Sequence, residues 1–454
     1  MAIEYNPFLQ GNYAPIDTEL TRYDLPVTGE IPLELCGRYV RTGPNPPLVV
    51  DQGTHHWFTG NGMVHGIELR DGKALWYKAR WINASGCDHA SSNTESRRSN
   101  VTAALGNANI FCHRGRIYAV DEMSLPFELD KSLSTLRRED FGGALAIGIS
   151  AHPKLEAETG ILHTLAYEVD RPFLRYQAIS STGEATATAA IELPRSIMVH
   201  EFLITANHLV LFDLPVVLDM ELAWIGRALP FRWNAQHQAR IGVAARAAPN
   251  TVEWYDIPPC YVMHAFNAYE DRGQILIDLV RHPRMFDTCL TGPGDGQPRV
   301  ERWCIDRRAR RVIQDVVDDR PQEFPRINAS HTGRRHRFGY AVACTTSANS
   351  QPHFASSEIL KHDFDKRRCD TIRLPTELEA SEFTFVAAAR NKRRVTEDDG
   401  WLIGYAYNRL TSASELLILS ASDPKAPPLA RIGLTRRVPF GFHGAWISDS
   451  ELAA

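Results

Sequence analysis

The chain has 454 residues, 44% hydrophobic and 23% charged, a globular composition with ample material for a sizeable core. Its net charge of −4 speaks against a nucleic-acid partner, which needs a basic face. No run of eighteen apolar residues is present, so no segment is suited to span a membrane as a helix.

The N-terminus, Met1-Ala-Ile-Glu-Tyr-Asn-Pro7, has no basic n-region and no apolar h-region, so no signal peptide is read there. Prolines and glycines are scattered without a linker-like stretch, and one domain over residues 1–454 is expected. Eight cysteines (Cys36, Cys87, Cys112, Cys260, Cys289, Cys304, Cys344 and Cys369) never approach CxxC spacing; they are expected to be reduced and buried, in a cytoplasmic setting. His55, His56 and His65 lie close together, but His56-Trp-Phe-Thr-Gly-Asn-Gly-Met-Val-His65 reads as a Gly-rich hairpin whose aromatics pack.

Further on, short strands dominate. Arg116–Val120, His208–Phe212, Gln274–Asp278 and Glu415–Leu419 are β-like runs separated by turn residues at hairpin distances. The best helical pattern is Leu218 to Leu229, with Leu218, Leu222, Ile225 and Leu229 on one face. Within the apolar segment 209–231 this helix is expected to cap the fold, and it also has the character of an element dipping into a lipid surface, with Trp224 and Ile225 at its centre. Two basic clusters, Arg307–Arg311 and Lys392–Arg394, read as solvated hairpin tips.

Four histidines carry the chemistry: His152, His200, His264 and His443. A histidine taken alone is more often a core or surface residue than a ligand; what singles these out is their spacing. His152 to His200 is 48 residues, His200 to His264 is 64, His264 to Glu323 is 59, Glu323 to Glu382 is 59 and Glu382 to His443 is 61. A four-stranded blade with generous loops takes such a length, somewhat above the roughly 40–45 residues of compact propeller repeats. One polar side chain per innermost strand would then face a central axis. Glu122, 30 residues before His152, completes a set of seven, although that gap is short for a blade. The expected fold is all-β, a seven-bladed propeller with a few capping helices and loops over an axial metal site. Four imidazoles with no cysteine partner suit redox-active iron, Fe(2+), better than structural zinc. Glu122, Glu323 and Glu382 are the carboxylates expected to hold the far nitrogens of the ligating rings. Gly292–Gly296 lacks the Lys-Ser/Thr of a phosphate loop, and Gly148–His152 lacks the second glycine of a nucleophile elbow.

Several motifs, in order, resemble the carotenoid cleavage oxygenase family. They are Asn6-Pro-Phe-Leu9, Gly37-Arg-Tyr-Val-Arg-Thr-Gly-Pro-Asn-Pro46, the 56–66 segment, Ala151-His-Pro-Lys154, Met198-Val-His-Glu-Phe202, Asn267-Ala-Tyr-Glu270, Glu323-Phe-Pro-Arg-Ile-Asn328 and Gly441-Phe-His-Gly-Ala-Trp446. The resemblance runs from about residue 6 to the C-terminus. It implies a seven-bladed propeller whose four histidine ligands fall on His152, His200, His264 and His443, with Glu122, Glu323 and Glu382 behind them. The reaction implied is insertion of both atoms of dioxygen across a conjugated C=C bond of a carotenoid or apocarotenoid, giving two carbonyl products. Three positions depart from the family pattern. Ala108, in Asn107-Ala-Asn109, stands where many members place a threonine that crowds an open iron position. Glu201 follows the second histidine where Asp is usual, and Asp121 precedes Glu122 where stilbene-cleaving members place a phenol-gripping lysine. The same iron chemistry on a stilbene or phenylpropenoid is the second reading, and a non-catalytic propeller scaffold the third. Phe111, Phe202, Phe266 and Phe442, each beside a site motif, are candidates to wall a substrate tunnel.

Overall fold

The computed structural model describes residues 6–46, 51–82, 105–145, 147–168, 171–346, 352–354, 356–388 and 396–453. Seven antiparallel sheets follow one another along the chain and form a seven-bladed β-propeller. Their innermost strands are Gly444–Ser448 in blade 1, Asn109–His113 in blade 2, Lys154–Leu155 in blade 3, Leu203–Ile204 in blade 4, Tyr261–Asp271 in blade 5 and Gln322–Arg326 in blade 6. In blade 7 two short strands, Leu378–Ala380 and Thr384–Ala387, share that place, both paired with Gly400–Asn408.

Both chain ends staple the ring. The early strand Val27–Gly29 pairs with Ala430–Gly433 at the outer edge of blade 7, and the last strand, Gly444–Ser448, pairs with Gly37–Asn45 in blade 1. The second staple brings backbones close: a Cβ on Gly43 would lie 2.6 Å from the Gly441 Cα, so only glycine fits there. Beside it Arg41, 1% exposed, gives Nη2 to the Pro439 carbonyl at 2.5 Å and lies over the Tyr405 ring.

Burial follows radius. The inner strand Tyr261–Asp271 is buried on both faces for its first nine residues, because neighbouring blades pack against each side. The outer strand Arg311–Asp318 has no fully buried residue. That gradient explains why inner strands read as short apolar runs and outer ones as alternating sequence.

The runs expected as strands fall inside Arg116–Val120, His208–Asp213, Gln274–His282 and Ala413–Ser420. The helix expected over 218–229 is much shorter. Leu218 belongs to a strand, Val216–Leu218, paired with Phe231–Trp233, and the helix covers only Met220–Trp224. Asp219 caps its start through Glu221 N and Leu222 N, and Gly226, at φ 78°, ends it. Of the expected face only Leu222 is buried; Ile225 is 66% exposed. Tertiary pairing of Leu218 with Phe231 overrode the helical period. Arg307–Arg310 form a hairpin tip as expected, with Arg307 reaching Glu253 and His208. The Lys392–Arg394 cluster and Cys87 lie outside the described residues. Cys260, Cys289 and Cys344 are buried as expected, whereas Cys36, Cys112, Cys304 and Cys369 are only partly covered. No described helix is long and apolar enough to cross a membrane.

Candidate metal centre and its cavity

The four histidines arrive from four blades. His264 lies within the inner strand of blade 5, where the pairing register shifts on both sides of Ala265; such bulges re-aim side chains. His152, His200 and His443 sit just before the inner strands of blades 3, 4 and 1. All four are buried, and one nitrogen of each lies within 4.8 Å of the others. His152 Nε2 is 3.0 Å from His200 Nε2, His200 Nε2 is 3.3 Å from His264 Nε2, and His264 Nε2 is 3.1 Å from His443 Nε2.

The far sides of two rings show what these contacts mean. His264 Nδ1 meets Glu323 Oε2 at 2.6 Å, and His443 Nδ1 meets Glu382 Oε1 at 2.8 Å. A neutral imidazole has one proton, and a ring that gives it to a carboxylate turns a bare lone pair outward at Nε2. Two such lone pairs 3.1 Å apart repel unless a cation lies between them. A metal–imidazole bond of about 2.1 Å puts ligand nitrogens at right angles about 3.0 Å apart, which matches these separations. Burial, then the neighbouring rings, hold His152 far below the ordinary imidazole range. Burial likewise pushes His443 down to about 3, against the pull of Glu382. Both therefore stay in the neutral, ligating form. The donor set fits a divalent transition metal.

The carboxylates are secured in turn. Glu323 takes a second imidazole, His282 Nε2 at 2.7 Å. Glu382 holds a two-pronged ion pair with Arg326, at 2.8 Å from Nε and 2.7 Å from Nη2, and accepts Gly444 N at 2.8 Å. Glu122 Oε1 stands 2.7 Å from His200 Nδ1, off the line of a hydrogen bond. His282 carries no sequence signal, since its role depends on a cross-strand neighbour; Arg326 sits inside the Glu323–Asn328 motif.

Six blades bring one of the expected polar residues to the axis. His264 and Glu323 come from within an innermost strand, and His152, His200, Glu382 and His443 from the residues just before one. The expectation fails for Glu122. That residue follows Arg116–Val120, the second strand of blade 2, which explains the short gap of 30 residues. The inner strand of blade 2 begins at Asn109, and Ala108 stands beside the axis instead. Its N–H donates to Val120 O at 2.9 Å, and its carbonyl accepts His443 N at 3.1 Å. Ala108 is thus tied directly to a histidine of the cluster.

A cavity of about 930 Å³, open mouth included, lies over His200, His264 and His443. Trp57, Phe58, Phe324, Phe354 and Phe442 form an aromatic wall, and Met123, Met198 and Met263 line it elsewhere. Phe324 stacks near His264, with centroids 5.6 Å apart, and sits at φ 58°. A bulky residue in that region costs on the order of 1–3 kcal/mol, held here by surrounding packing. Of the four phenylalanines expected as walls only Phe442 qualifies. Phe202 is fully buried in the core, Phe266 packs on Phe364, and Phe111 packs on Tyr118. Trp57 and Phe58 come instead from the segment read as a packed hairpin, whose histidines do not converge: His65 Nδ1 pairs with Tyr77 and His56 Nδ1 accepts Phe58 N. Next to the cluster, Glu201 accepts Lys154 Nζ at 2.7 Å and Ala265 N at 3.2 Å.

Residues 13–448 match the family model described as retinal pigment epithelial membrane protein. A carotenoid cleavage oxygenase of Mycobacterium tuberculosis is 37% identical over 97% of each chain. The chain belongs to the carotenoid cleavage oxygenase family. It is therefore an oxidoreductase of the dioxygenase class, and oxygenative alkene cleavage is the chemistry of its relatives. Among solved structures, Pseudomonas brassicacearum lignostilbene dioxygenase superposes with a TM-score of 0.85 at 23% identity, covering 99% of this chain and 100% of that one. Cobalt-substituted Synechocystis apocarotenoid oxygenase superposes with a TM-score of 0.82 at 22% identity, covering 96% and 98%. At such identities these two speak for the fold.

Proposed function

We propose that this carotenoid cleavage oxygenase family member binds Fe(2+) through His152, His200, His264 and His443 and cleaves a conjugated C=C bond of a carotenoid or apocarotenoid with dioxygen. The observation that carries this reading is the convergence of bare Nε2 lone pairs at the floor of an apolar, aromatic-walled cavity. Iron(II) would supply the binding and activation of dioxygen; both oxygen atoms end in the two carbonyl products, so the reaction balances without another reductant. Glu323 and Glu382 keep the ring protons on Nδ1, His282 and Arg326 hold those carboxylates in place, and the aromatic wall excludes water and orients the polyene.

Apolar substrates of this kind reside in membranes. Trp224 is 81% exposed and Ile225 66%, and the residues that follow them, Ala228 and Leu229, line the cavity. This supports a peripheral contact through segment 209–231 that would deliver substrate to the mouth. The aryl-alkene reading gains no support from Asp121, whose carboxylate cannot stabilise a phenolate as a lysine would. The test is aerobic incubation of iron-loaded protein with β-carotene, β-apo-8′-carotenal, resveratrol and isoeugenol, with products identified by mass spectrometry. An aldehyde pair from a polyene is expected; products from the aryl alkenes alone would overturn the carotenoid assignment.

A further inference from the structure

His200, His264 and His443 each have a carboxylate beside the far nitrogen: Glu122, Glu323 and Glu382. Among the described residues no carboxylate does this for His152. Its ring must therefore be placed by the chain that carries it. On one side Asn109 Nδ2 donates to Ala151 O at 2.8 Å. On the other comes Lys154, whose Nζ donates to Glu201 Oε1 at 2.7 Å; the lysine side chain is 15% exposed and the glutamate's 2%. Glu201 holds two more groups, Phe202 N on Oε1 at 3.0 Å and Ala265 N on Oε2 at 3.2 Å. One carboxylate thus joins blades 3, 4 and 5, and each contact adjoins a ligand: Lys154 lies two residues after His152, Glu201 follows His200 and Ala265 follows His264. Across the axis Glu382 does the same for the N–H that follows His443.

We propose that Lys154 and Glu201 are positioning residues for the metal centre, the pair that sets His152 against His200 and His264. An ion pair withdrawn from water gains little net stability, since desolvation offsets the attraction, but it does fix one arrangement of the groups it joins. Pro153 stands between His152 and Lys154, and its locked φ passes a shift of the lysine to the histidine with little slack. Without the pair, His264 and His443 keep the carboxylates that their Nδ1 atoms meet, whereas His152 loses the anchor on its C-terminal side. The expected defect is a site with three working histidines rather than none. The inference deepens the reading of these four histidines as a metal site and rests on it.

Titration of metal-free protein with Co(2+) tests this without turnover: visible absorption bands report the ligand set, and competition with a chelator reports affinity. Removing one partner would strand a buried charge, so the test variant combines Lys154→Met with Glu201→Gln, which keeps an acceptor for Ala265 N. Its bands are expected to move to those of His152→Ala, with affinity about 10–100-fold lower. Lys154→Arg, which keeps a charged donor, should retain the wild-type bands and affinity. Should the double variant not fold, Lys154→Gln, whose shorter amide still donates to Glu201, is read in the same way. The control is another buried pair, Lys361 and Asp398, 2.5 Å apart and far in sequence from every ligand. Lys361→Met with Asp398→Asn should leave bands and affinity as they are. Wild-type bands and affinity without the Lys154–Glu201 pair, or an equal loss without the Lys361–Asp398 pair, overturn the positioning role. No cobalt bound by wild type overturns the four-histidine reading, and the positioning role with it.

Discussion

Among the described residues two places gather metal-ligand residue types within 4.8 Å: the four histidines on the axis, and Asp318, His362 and Cys369 in blades 5 and 6. By residue type alone the second cluster is the more varied, with oxygen, nitrogen and sulfur donors. Partner accounting separates them. On the axis the outer nitrogens of His264 and His443 face carboxylates and the inner ones face each other, leaving lone pairs that only a cation satisfies. In the second cluster the atoms are already committed. Asp318 pairs with Arg320, at 3.0 Å from Nε, and His362 Nε2 meets Gln322 Oε1 at 2.6 Å. Burial pushes the Cys369 thiol up to about 12, far from the thiolate a metal requires. A ligand set is recognised by what its other atoms are doing, more than by its composition.

The strongest way to break this contrast is His264→Ala. It removes the ring that makes two of the three close contacts, and iron content with turnover should fall by on the order of a thousandfold or more, measured by elemental analysis and product formation. Glu323→Gln should weaken iron affinity by about 10–100-fold, read by competition with a chelator, because the carboxylate behind His264 no longer fixes its tautomer.

Acid should separate the regions through the same carboxylates. Burial alone would push Glu323 and Glu382 up, but the facing histidines and Arg326 outweigh it and hold both below the ordinary carboxylate value of 4.5. With folded pKa values depressed, their stabilisation is complete above the unfolded value and is lost as protons bind. The unfolding midpoint of metal-free protein is therefore expected to drop as pH falls below about 5, and less so in Glu323→Gln. Ala108→Thr, which places a methyl and a hydroxyl beside His443, should alter turnover by about 2–10-fold while iron content stays unchanged. The smallest effect belongs to the second cluster: Cys369→Ser should leave iron content and product formation as they are.

Much of this was legible in the chain because a propeller repeats. The inner strands present one residue near the axis per turn of sequence, and the spacing of His200, His264, Glu323, Glu382 and His443 records that geometry. Period could not place Glu122, which arrives from a second strand, nor could it show that the apolar Ala108 takes the seventh position. The short helix Met220–Trp224 was masked by Leu218, whose partner Phe231 lies across a hairpin. The cavity wall was the least readable. Trp57 and Phe354 come from distant segments and meet only through the fold, with ring centroids 5.5 Å apart. Buried supports such as His282 were equally hidden, since nothing local distinguishes an imidazole that steadies Glu323 from any other strand histidine.

The account stands or falls on where iron binds. Stripped wild-type protein, His264→Ala and Cys369→Ser should each be reloaded with Fe(2+) under anaerobic conditions and their iron counted after desalting. One iron per chain in wild type and Cys369→Ser, with almost none in His264→Ala, is the expected result. One iron per chain retained by His264→Ala, or lost from Cys369→Ser, would contradict it.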